Sequence, residues 1–312
     1  MSALPIAVVG AGPAGMSCAN ALLSFGLTPV VIEQSHQVGG IQRANFHPNL
    51  WMLGLPGETG TEITERLARH FFELPLVTHL EATVRRIIRQ PGGFHLDFET
   101  RDGPDSLDVA AVVLATGSAP RATPALRSLA SASDRVIIGP LSNTIRDGIH
   151  GQRVAILGGG DNALDHALYL AERGNRVTVC ARGALSARRQ FLAACADRSE
   201  IELRPHALPE AIEATPEGIE LRWQDARTCF DWLLVMFGYA PNTAILAAFA
   251  GERPQLTRTG HLHVDRGQRT SLPGIYAAGD VTDCVQPSVP SALAQGLAAA
   301  RAIELDQATQ ST

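Results

Sequence analysis

The sequence has few cysteines, few aromatic residues and no excess of basic charge. Its 312 residues include five cysteines, Cys18, Cys180, Cys195, Cys229 and Cys284, an odd number without a close pair. Such a set does not form the disulfide framework of a secreted protein, so we expect a cytoplasmic location. The 31 acidic residues outnumber the 26 basic ones, for a formal net charge of -5, so no nucleic-acid partner is predicted.

No stretch of the sequence is typical of a membrane span. Residues 1–32 carry no charge, but they contain three prolines and several glycines and lack a basic start. The uncharged run from Cys284 to Ala300 contains two prolines and two glutamines. Neither segment fits a signal peptide or a spanning helix, so no membrane association is predicted. The length and the 29 glycines are instead typical of a two-domain α/β protein.

Two segments share the pattern of an apolar run, a glycine-rich turn, a helix and a second apolar run. The first has a strand over Ile6–Val9, the turn Gly10-Ala11-Gly12-Pro13-Ala14-Gly15 and a strand over Pro29–Ile32. The second has Val154–Leu157, the turn Gly158-Gly159-Gly160-Asp161-Asn162-Ala163 and Arg176–Cys180. Each pattern predicts a βαβ unit that binds a dinucleotide.

The first turn has the residues that a pyrophosphate site needs. Gly10 permits the tight turn, Gly12 lets phosphate approach the backbone, and Gly15 lets the helix pack closely. The helix that starts here directs the positive end of its dipole at the ligand. Glu33 ends the second strand, where an acid accepts hydrogen bonds from an adenosine ribose.

The second turn differs from the first in the residue that follows its second strand. Where Glu33 stands in the first unit, the second has Ala181 followed by Arg182. An arginine here favours the 2'-phosphate of NADPH, with Arg188 and Arg189 as further clamps. The alternative is that these three arginines form a solvated face.

Glycine and proline mark two crossings between the predicted domains. The segments Gly117–Pro120 and Gly238–Asn242 bracket the second βαβ unit, so residues 120–238 are predicted to be inserted into the first domain. Further expectations are a strand over Val109–Ala115, a strand over His261–Val264, a helix over Ser291–Leu305 and a frayed tail over Gln307–Thr312.

The motifs GAGPAG, ATG, GGGDNA, GYAPN and TSLPGIYAAGD occur in that order and resemble the low-molecular-weight thioredoxin reductase family. The resemblance implies an α/β protein with two Rossmann-like dinucleotide-binding domains. An FAD domain would comprise 1–119 and 239–312, and the inserted NAD(P)H domain 120–238. It also implies FAD and NADPH as cofactors, a homodimer, and a small redox protein or small molecule as electron acceptor.

The resemblance further implies which residues bind the cofactors, while no catalytic residue and no metal ligand is assigned. His261 and His263 share a predicted strand face but lack a third zinc ligand. The FAD residues are Gly10, Gly12, Pro13, Ala14, Gly15, Glu33, Gln34, Gly40, Gln42, Val84, Ala115, Thr116, Gly117, Gly279, Asp280, Ser291 and Ala292. The NADPH residues are Gly158, Gly159, Gly160, Asp161, Asn162, Ala163, Arg182 and Arg188.

The family's redox-active Cys-x-x-Cys is missing from the stretch that precedes the second glycine turn, Val136–Arg153. The segment Asp161–Leu168 resembles the DSALDWAL motif of a dithiol-free branch, the thioredoxin-reductase-type ferredoxin or flavodoxin NADP reductases. That branch has His-Arg-Arg where this chain has Ala181-Arg182-Gly183. The predicted function is an FAD-dependent NAD(P)H oxidoreductase that serves such an acceptor without a thiol relay. Two alternatives stay open: a disulfide reductase using distant cysteines or direct flavin transfer, and a flavin-binding sensor with a decayed NAD(P)H site.

Overall fold

The computed structural model describes residues 4–49, 51–284 and 286–310, and the chain forms two compact units. The first unit is built from the chain up to Ala119 together with the chain from Pro241 onward. The second unit is Pro120–Ala240, whereas the sequence predicted an insertion over 120–238.

Before the chain enters the second unit, the described residues form eight strands and two α-helices. These elements are β1 (Ile6–Val9), α1 (Pro13–Ser24), β2 (Pro29–Ile32), α2 (Gly60–Phe72), β3 (Val77–His79), β4 (Thr83–Gln90), β5 (Gly93–Thr100), β6 (Gly103–Val109), β7 (Ala111–Leu114) and β8 (Ser118–Pro120).

The second unit contains most of the remaining elements, and the chain then returns to complete the first unit. They are α3 (Pro124–Ala132), β9 (Val136–Ile138), β10 (Arg153–Leu157), α4 (Asp161–Ala171), β11 (Arg176–Cys180), α5 (Arg189–Ala196), β12 (Ile201–Arg204), β13 (Ala211–Thr215), β14 (Gly218–Trp223), β15 (Ala226–Phe230), β16 (Trp232–Val235), β17 (Tyr239–Pro241), β18 (Ile275–Ala277) and α6 (Val289–Gln310).

A five-stranded parallel sheet in the order β18-β7-β1-β2-β3 forms the centre of the first unit. Its strands β1, β2 and β7 are buried along their whole length, as continuous apolar runs in a parallel sheet require. Helices α1 and α6 cover one face with small side chains such as Ala19 and Ala299. On the other face, Leu96 and Phe98 of the antiparallel β4-β5-β6 sheet pack in the core.

The second unit repeats this plan around a parallel sheet in the order β12-β11-β10-β16-β9. Strand β10 lies between β16 and β11, just as β1 lies between β7 and β2. A three-stranded antiparallel sheet, β13-β14-β15, accompanies it. Both units thus place a glycine-rich turn at the carboxyl end of a central strand, and the predicted α/β class with two Rossmann-like units is confirmed.

Three predictions of secondary structure were wrong. The segment His261–Val264 is not a strand, because only Leu262 makes isolated bridges, to Leu256 and Thr282. The apolar run Val109–Ala115 is divided at Ala110, where the chain passes from β6 to β7. Helix α6 starts at Val289 and extends to Gln310, so positions 307–310 are helical and not frayed. Residues 311 and 312 lie outside the described ranges.

Candidate functional site

The first glycine turn combines two closed positions with one open position. A Cβ at Gly10, which has φ +102°, would collide with the carbonyl oxygen of Ala115, and a Cβ at Gly15 would collide with that of Gly10. A Cβ at Gly12 would have the Cα of Gly40, 3.9 Å away, as its nearest neighbour. Gly12 and Gly40 therefore present bare backbone to each other, which leaves room for a ligand.

Helix α1 begins at Pro13 beside this space. Gly12 is the N-cap residue of α1, no side chain of the described residues caps this helix start, and the first turn of α1 carries no acidic residue. The positive end of the helix dipole is therefore available to an anion. These features fit a dinucleotide pyrophosphate, and Pro13, Ala14 and Gly15 are the first-turn residues that the sequence assigned to it.

Glu33 is 6% exposed and ties the end of β2 to the glycine turn. Its Oε2 accepts a hydrogen bond from Ala11 N at 2.6 Å, and its Oε1 accepts one from Ser35 N at 2.8 Å. Each carboxylate oxygen has a second lone pair, so the side chain can still accept from a ligand hydroxyl. The neighbouring Gln34 is exposed, whereas the Val84 side chain is buried in the core on β4.

The remaining predicted FAD residues belong to two segments, the residues 115–117 that follow β7 and the 3-10 helix that contains Gln42. The hydroxyl of Thr116 donates to Asn242 O at 2.7 Å, and Asn242 N donates to Gly117 O at 2.8 Å. Ala115 itself is buried. Gln42, within the 3-10 helix Gly40–Ala44, accepts a hydrogen bond from the amide of Asn45 at 2.9 Å.

Asp280 follows β18 and lies half-buried on a turn that α6 holds in place. Gln295 of α6 accepts a hydrogen bond from Gly279 N at 2.6 Å, and Thr282 Oγ1 donates to Gly279 O at 2.9 Å. Ser118 Oγ donates to Asp280 Oδ2 at 3.3 Å. Burial raises the pKa of Asp280, while the Ser118 hydrogen bond lowers it. Ser118 and Gln295 were not predicted as site residues, because serine and glutamine carry no motif of their own.

The start of α6 is capped by two serine side chains. Ser288 Oγ accepts a hydrogen bond from Ser291 N at 3.3 Å, and Ser291 Oγ donates to Ser288 O at 2.9 Å. Ala292 is 8% exposed, so its side chain packs in the core. Serine in this role stabilises a helix start, which explains why α6 begins before Ser291.

The second glycine turn has the same geometry as the first. A Cβ at Gly158, which has φ +148°, would collide with the carbonyl oxygen of Met236. A Cβ at Gly160 would have only Ser186 Oγ within reach, at 4.0 Å. Gly159 faces Ala181, whose Cβ would lie 2.9 Å from an added Cβ, and Ala163 is buried in α4. The open position again lies at the second motif glycine.

The arginines predicted for the second turn have different surroundings. Arg182 is exposed and has no hydrogen bond or ion pair within the described part of the chain. Arg188 is paired with Asp161 in the first turn of α4, with Nε 2.6 Å from Oδ2. The backbone of the loop between them is fixed, because Ser186 N donates to Gly159 O at 2.7 Å. Asn162, also in this first turn, is exposed.

The five cysteines, all within the described ranges, are free thiols. Burial raises the pKa of Cys18 to about 12 and the pKa values of Cys180 and Cys195 to about 11. These three thiols therefore remain protonated at neutral pH, and a protonated thiol is a poor nucleophile. Cys229 of the second unit and Cys284 of the first unit are half-exposed.

Two open glycine turns, each at the carboxyl end of a parallel sheet, define a protein with two dinucleotide sites. Comparison with known proteins agrees: residues 4–296 match the family model described as pyridine nucleotide-disulphide oxidoreductase, and the chain belongs to this family. The predicted FAD-dependent NAD(P)H oxidoreductase, with FAD and NADPH as cofactors, is confirmed by this membership and by the relatives of the chain.

The chain is 27% identical over 292 residues to the ferredoxin–NADP reductase of Lactococcus lactis subsp. lactis, covering 91% of this chain and 87% of the relative. The crystal structure of Lactococcus lactis thioredoxin reductase superposes with a TM-score of 0.80 at 22% identity, over 96% of this chain and 98% of that one. An engineered water-forming NADPH oxidase bound to NADPH superposes with a TM-score of 0.72 at 19% identity, over 96% of this chain and 69% of that one.

No helix in the described ranges combines the length and the apolar character that crossing a membrane requires.

Proposed function

We propose that this protein transfers electrons from NADPH through FAD to a ferredoxin-like or flavodoxin-like acceptor, without a thiol relay. The observation that carries the proposal is the absence of cysteine from Val136–Arg153, together with the burial of three of the five thiols. The similarity to a ferredoxin–NADP reductase supports the same class of acceptor.

The FAD site in this proposal is the first glycine turn of the first unit. The backbone at Gly12 and Gly40 and the start of α1 hold the pyrophosphate. Glu33 holds the adenosine ribose, and Asp280 holds the ribityl chain. Backbone and side-chain groups of six further residues complete the contacts with FAD: Gln34, Gln42, Val84, Ala115, Thr116 and Gly117. Ser291 and Ala292 bring the start of α6 to the flavin.

The NADPH site is the second glycine turn, with Arg182 as the residue that recognises the 2'-phosphate. Arg182 is exposed and has no acidic partner among the described residues, so its guanidinium is available for a bidentate contact. Arg188 has a different role: its ion pair with Asp161 neutralises the negative charge of an acidic side chain at the start of α4, where the pyrophosphate binds.

The engineered NADPH oxidase supports this assignment through the spacing of its introduced residues. It carries an introduced alanine, a second alanine 18 positions later, arginine and serine directly after that, and arginine five positions further on. This chain has Ala163, Ala181, Arg182, Gly183 and Arg188 at the same intervals. Four of the five residue types agree, and the one difference is glycine in place of serine.

When bound, NADPH supplies a hydride and FAD passes its electrons on singly or in pairs. The protein's residues orient the two cofactors and stabilise their charges. The experiment that tests the proposal is anaerobic addition of NADPH to the purified, FAD-loaded protein, followed by ferredoxin, flavodoxin or thioredoxin. We expect the flavin absorbance to bleach and then to return with ferredoxin or flavodoxin. Failure to bleach would favour a flavin-binding sensor.

A disulfide reductase is the second candidate, because the family description names disulphide substrates and Cys229 and Cys284 are half-exposed. Return of the absorbance with thioredoxin, and not with ferredoxin or flavodoxin, would favour this candidate.

We also propose a homodimer located in the cytoplasm. Five free thiols fit a reducing compartment. The exposed apolar side chains Phe72 and Val77 offer a surface that a second copy could cover. Light scattering on the purified protein gives the oligomeric state directly, and a mass of about 33 kDa would exclude the dimer.

A further inference from the structure

The turn that carries Asp280 is closed by two hydrogen bonds to one carbonyl oxygen. Gly279 O accepts from Thr282 N at 2.9 Å and from Thr282 Oγ1 at 2.9 Å. A hydrogen bond between the first and fourth residues is typical of a β-turn, so Asp280 and Val281 are its two central residues. The position of the Asp280 side chain therefore depends on how firmly the two end residues are held together.

Thr282 is 1% exposed and also connects this turn to α6. Its Oγ1 lies 3.3 Å from Gln295 Oε1, the same atom that accepts a hydrogen bond from Gly279 N at 2.6 Å. A hydroxyl group has a single proton, so the Thr282 proton is shared between the Gly279 and Gln295 oxygens. The peptide groups on both sides of Gly279 are thus held, the N–H by Gln295 and the carbonyl by Thr282.

Helix α6 lies tightly against α1 beside this turn. A Cβ at Gly296, the neighbour of Gln295, would collide with the carbonyl oxygen of Ala14. A Cβ at Gly279 would lie 2.9 Å from the Cβ of Ala14. Ala14 belongs to the first turn of α1, which the proposed function assigns to the FAD pyrophosphate. The turn, α6 and the start of α1 therefore pack directly against one another, and Gly279 has little room to move.

The Asp280 carboxylate itself makes few contacts. Ser118 Oγ donates to Asp280 Oδ2 at 3.3 Å, and this is the only hydrogen bond to the carboxylate within the described part of the chain. The remaining lone pairs are available to hydroxyl donors of a ligand. Because a single long hydrogen bond does not fix a side chain, the place of the carboxylate is determined mainly by the backbone of the turn.

We infer that Thr282 is a positioning residue of the flavin site: its hydroxyl group, with Gln295, closes the turn that presents Asp280 to the ribityl chain. The inference rests on the proposed FAD site. A carboxylate that is in place before FAD binds loses less conformational entropy in the complex, so the affinity is higher. Neither Thr282 nor Gln295 belongs to the motif TSLPGIYAAGD, which ends at Asp280.

The test is the FAD dissociation constant of the apoprotein, measured by flavin fluorescence at neutral pH. Thr282→Val removes the hydroxyl group and keeps the shape of the side chain, whereas Thr282→Ser keeps the hydroxyl group. Thr270→Val is the matched control, because Ile275 O at the amino end of β18 likewise accepts from Thr270 N, at 3.0 Å, and from Thr270 Oγ1, at 2.9 Å. Thr282→Val should bind FAD roughly threefold to tenfold more weakly, as the loss of one hydrogen bond predicts. Thr282→Ser and Thr270→Val should bind FAD as the unmodified protein does.

Equal FAD affinity of Thr282→Val and the unmodified protein would overturn the inference, as would an equal loss for Thr282→Val and Thr282→Ser. A loss for Thr270→Val as large as that for Thr282→Val would also overturn it, because a general loss of stability would then explain both. Circular dichroism of each apoprotein checks that the fold is intact. If Thr282→Val does not fold, Gln295→Met takes its place, since it removes the acceptor of Gly279 N, and unchanged FAD affinity would again overturn the inference.

Asp280→Ala separates this inference from the proposed site. Weaker FAD binding by Asp280→Ala supports the ribityl assignment. Thr282→Val should then add no further loss when it is combined with Asp280→Ala, because Thr282 acts through this carboxylate. An additional loss in the double variant would overturn the role of Thr282 while the site stands. Unchanged FAD binding by Asp280→Ala would show that the ribityl assignment itself is wrong.

Discussion

The glycines of the two turns differ in the atoms that an added side chain would contact, and they therefore have different roles. Gly10 and Gly15 face backbone oxygens at distances that no side chain tolerates, and Gly158 does the same in the second unit. Gly12 and Gly160 face open space. The closed positions are therefore required by the fold, and the open positions by the ligand.

This difference predicts that Gly12→Val folds but does not retain FAD. The backbone at Gly12 has φ -72°, which valine adopts, and no heavy atom lies within 3.9 Å of the added Cβ. The branched side chain would occupy the space of the pyrophosphate. The absorbance of the purified variant should lack the flavin bands, while its circular dichroism matches that of the unmodified apoprotein.

Gly15→Val is the contrasting variant, since its Cβ would overlap the Gly10 carbonyl oxygen. It should fail to fold. A folded, yellow Gly12→Val protein would show that the pyrophosphate lies elsewhere.

Arg182 is predicted to determine the preference for NADPH. Loss of one charge-assisted contact costs about 1.5 to 3 kcal/mol, or roughly tenfold to a hundredfold in affinity. Arg182→Ala should weaken NADPH by this factor and leave NADH almost unchanged, as measured by KM in dye reduction. Arg176→Ala, at the amino end of the same strand β11, is the control and should change neither. Equal use of NADPH and NADH by the unmodified protein would contradict the role of Arg182.

At the scale of elements, the carboxylate of Asp306 joins α6 to the first sheet through an ion pair with Arg269 and a hydrogen bond from the hydroxyl of Tyr276. Asp306 of α6 accepts two hydrogen bonds from Arg269, each of 2.7 Å, and one from the hydroxyl of Tyr276 on β18 at 2.6 Å. The Arg269 hydrogen bond, followed by that of Tyr276, lowers the pKa of Asp306. This pair helps to hold the long helix whose Gln295 side chain supports the Asp280 segment.

We predict that Asp306→Asn lowers the melting temperature at pH 7 by about 2 to 4 °C, which corresponds to about 1 kcal/mol. The value is modest because both side chains are about one-third exposed and water screens the pair. A carboxyl whose pKa is lowered by folding stabilises the protein above its ordinary pKa, and this contribution is lost as the pH falls through the folded value. Calorimetry should therefore show a smaller difference in melting temperature between Asp306→Asn and the unmodified protein near pH 3 than at pH 7.

Glu304→Gln is the matched control on the same helix, because Glu304 pairs with the exposed Arg301 at 2.7 Å. Its melting temperature should stay within about 1 °C of the unmodified value. A larger effect for Glu304→Gln than for Asp306→Asn would contradict the importance of the Asp306 contacts.

At the scale of the whole molecule, the distribution of thiols predicts direct electron transfer from the flavin. Cys18, Cys180 and Cys195 are buried, and Cys229 and Cys284 belong to different units. Replacement of Cys229 and Cys284 by serine should leave NADPH-dependent reduction of ferricyanide and of the protein acceptor unchanged. Loss of acceptor turnover with intact dye reduction would demonstrate a thiol relay.

Replacement of all five cysteines by serine is the more complete version of this experiment. The FAD content of this five-serine protein must be measured before its activities. The three buried positions pack in the cores, and serine there introduces a hydroxyl. If the five-serine protein retains FAD and both activities, no thiol takes part in the transfer.

The sequence by itself determined the two βαβ units, because strand, glycine turn and helix are local patterns that buried apolar runs make unambiguous. It also identified Gly10 and Gly158, which the backbone requires, and Gly12 and Gly160, which the ligand requires, because all four stand at fixed places in the glycine motif. It did not identify the end of β6 at Val109 or the non-strand conformation of His261–Val264, since pairing partners decide these. The apolar residues there resemble those of a strand, but side-chain hydrogen bonds of Thr257 and Thr259 hold His261 in a turn.

Only the tertiary structure decided which polar groups stand around Asp280. Ser118 and Gln295 come from two distant parts of the sequence, and their residue types carry no motif. The same holds for Glu33, whose two backbone hydrogen bonds depend on how β2 meets the glycine turn. Local patterns follow from the backbone geometry of neighbouring residues, whereas the charge and burial of a site depend on residues that folding alone brings together.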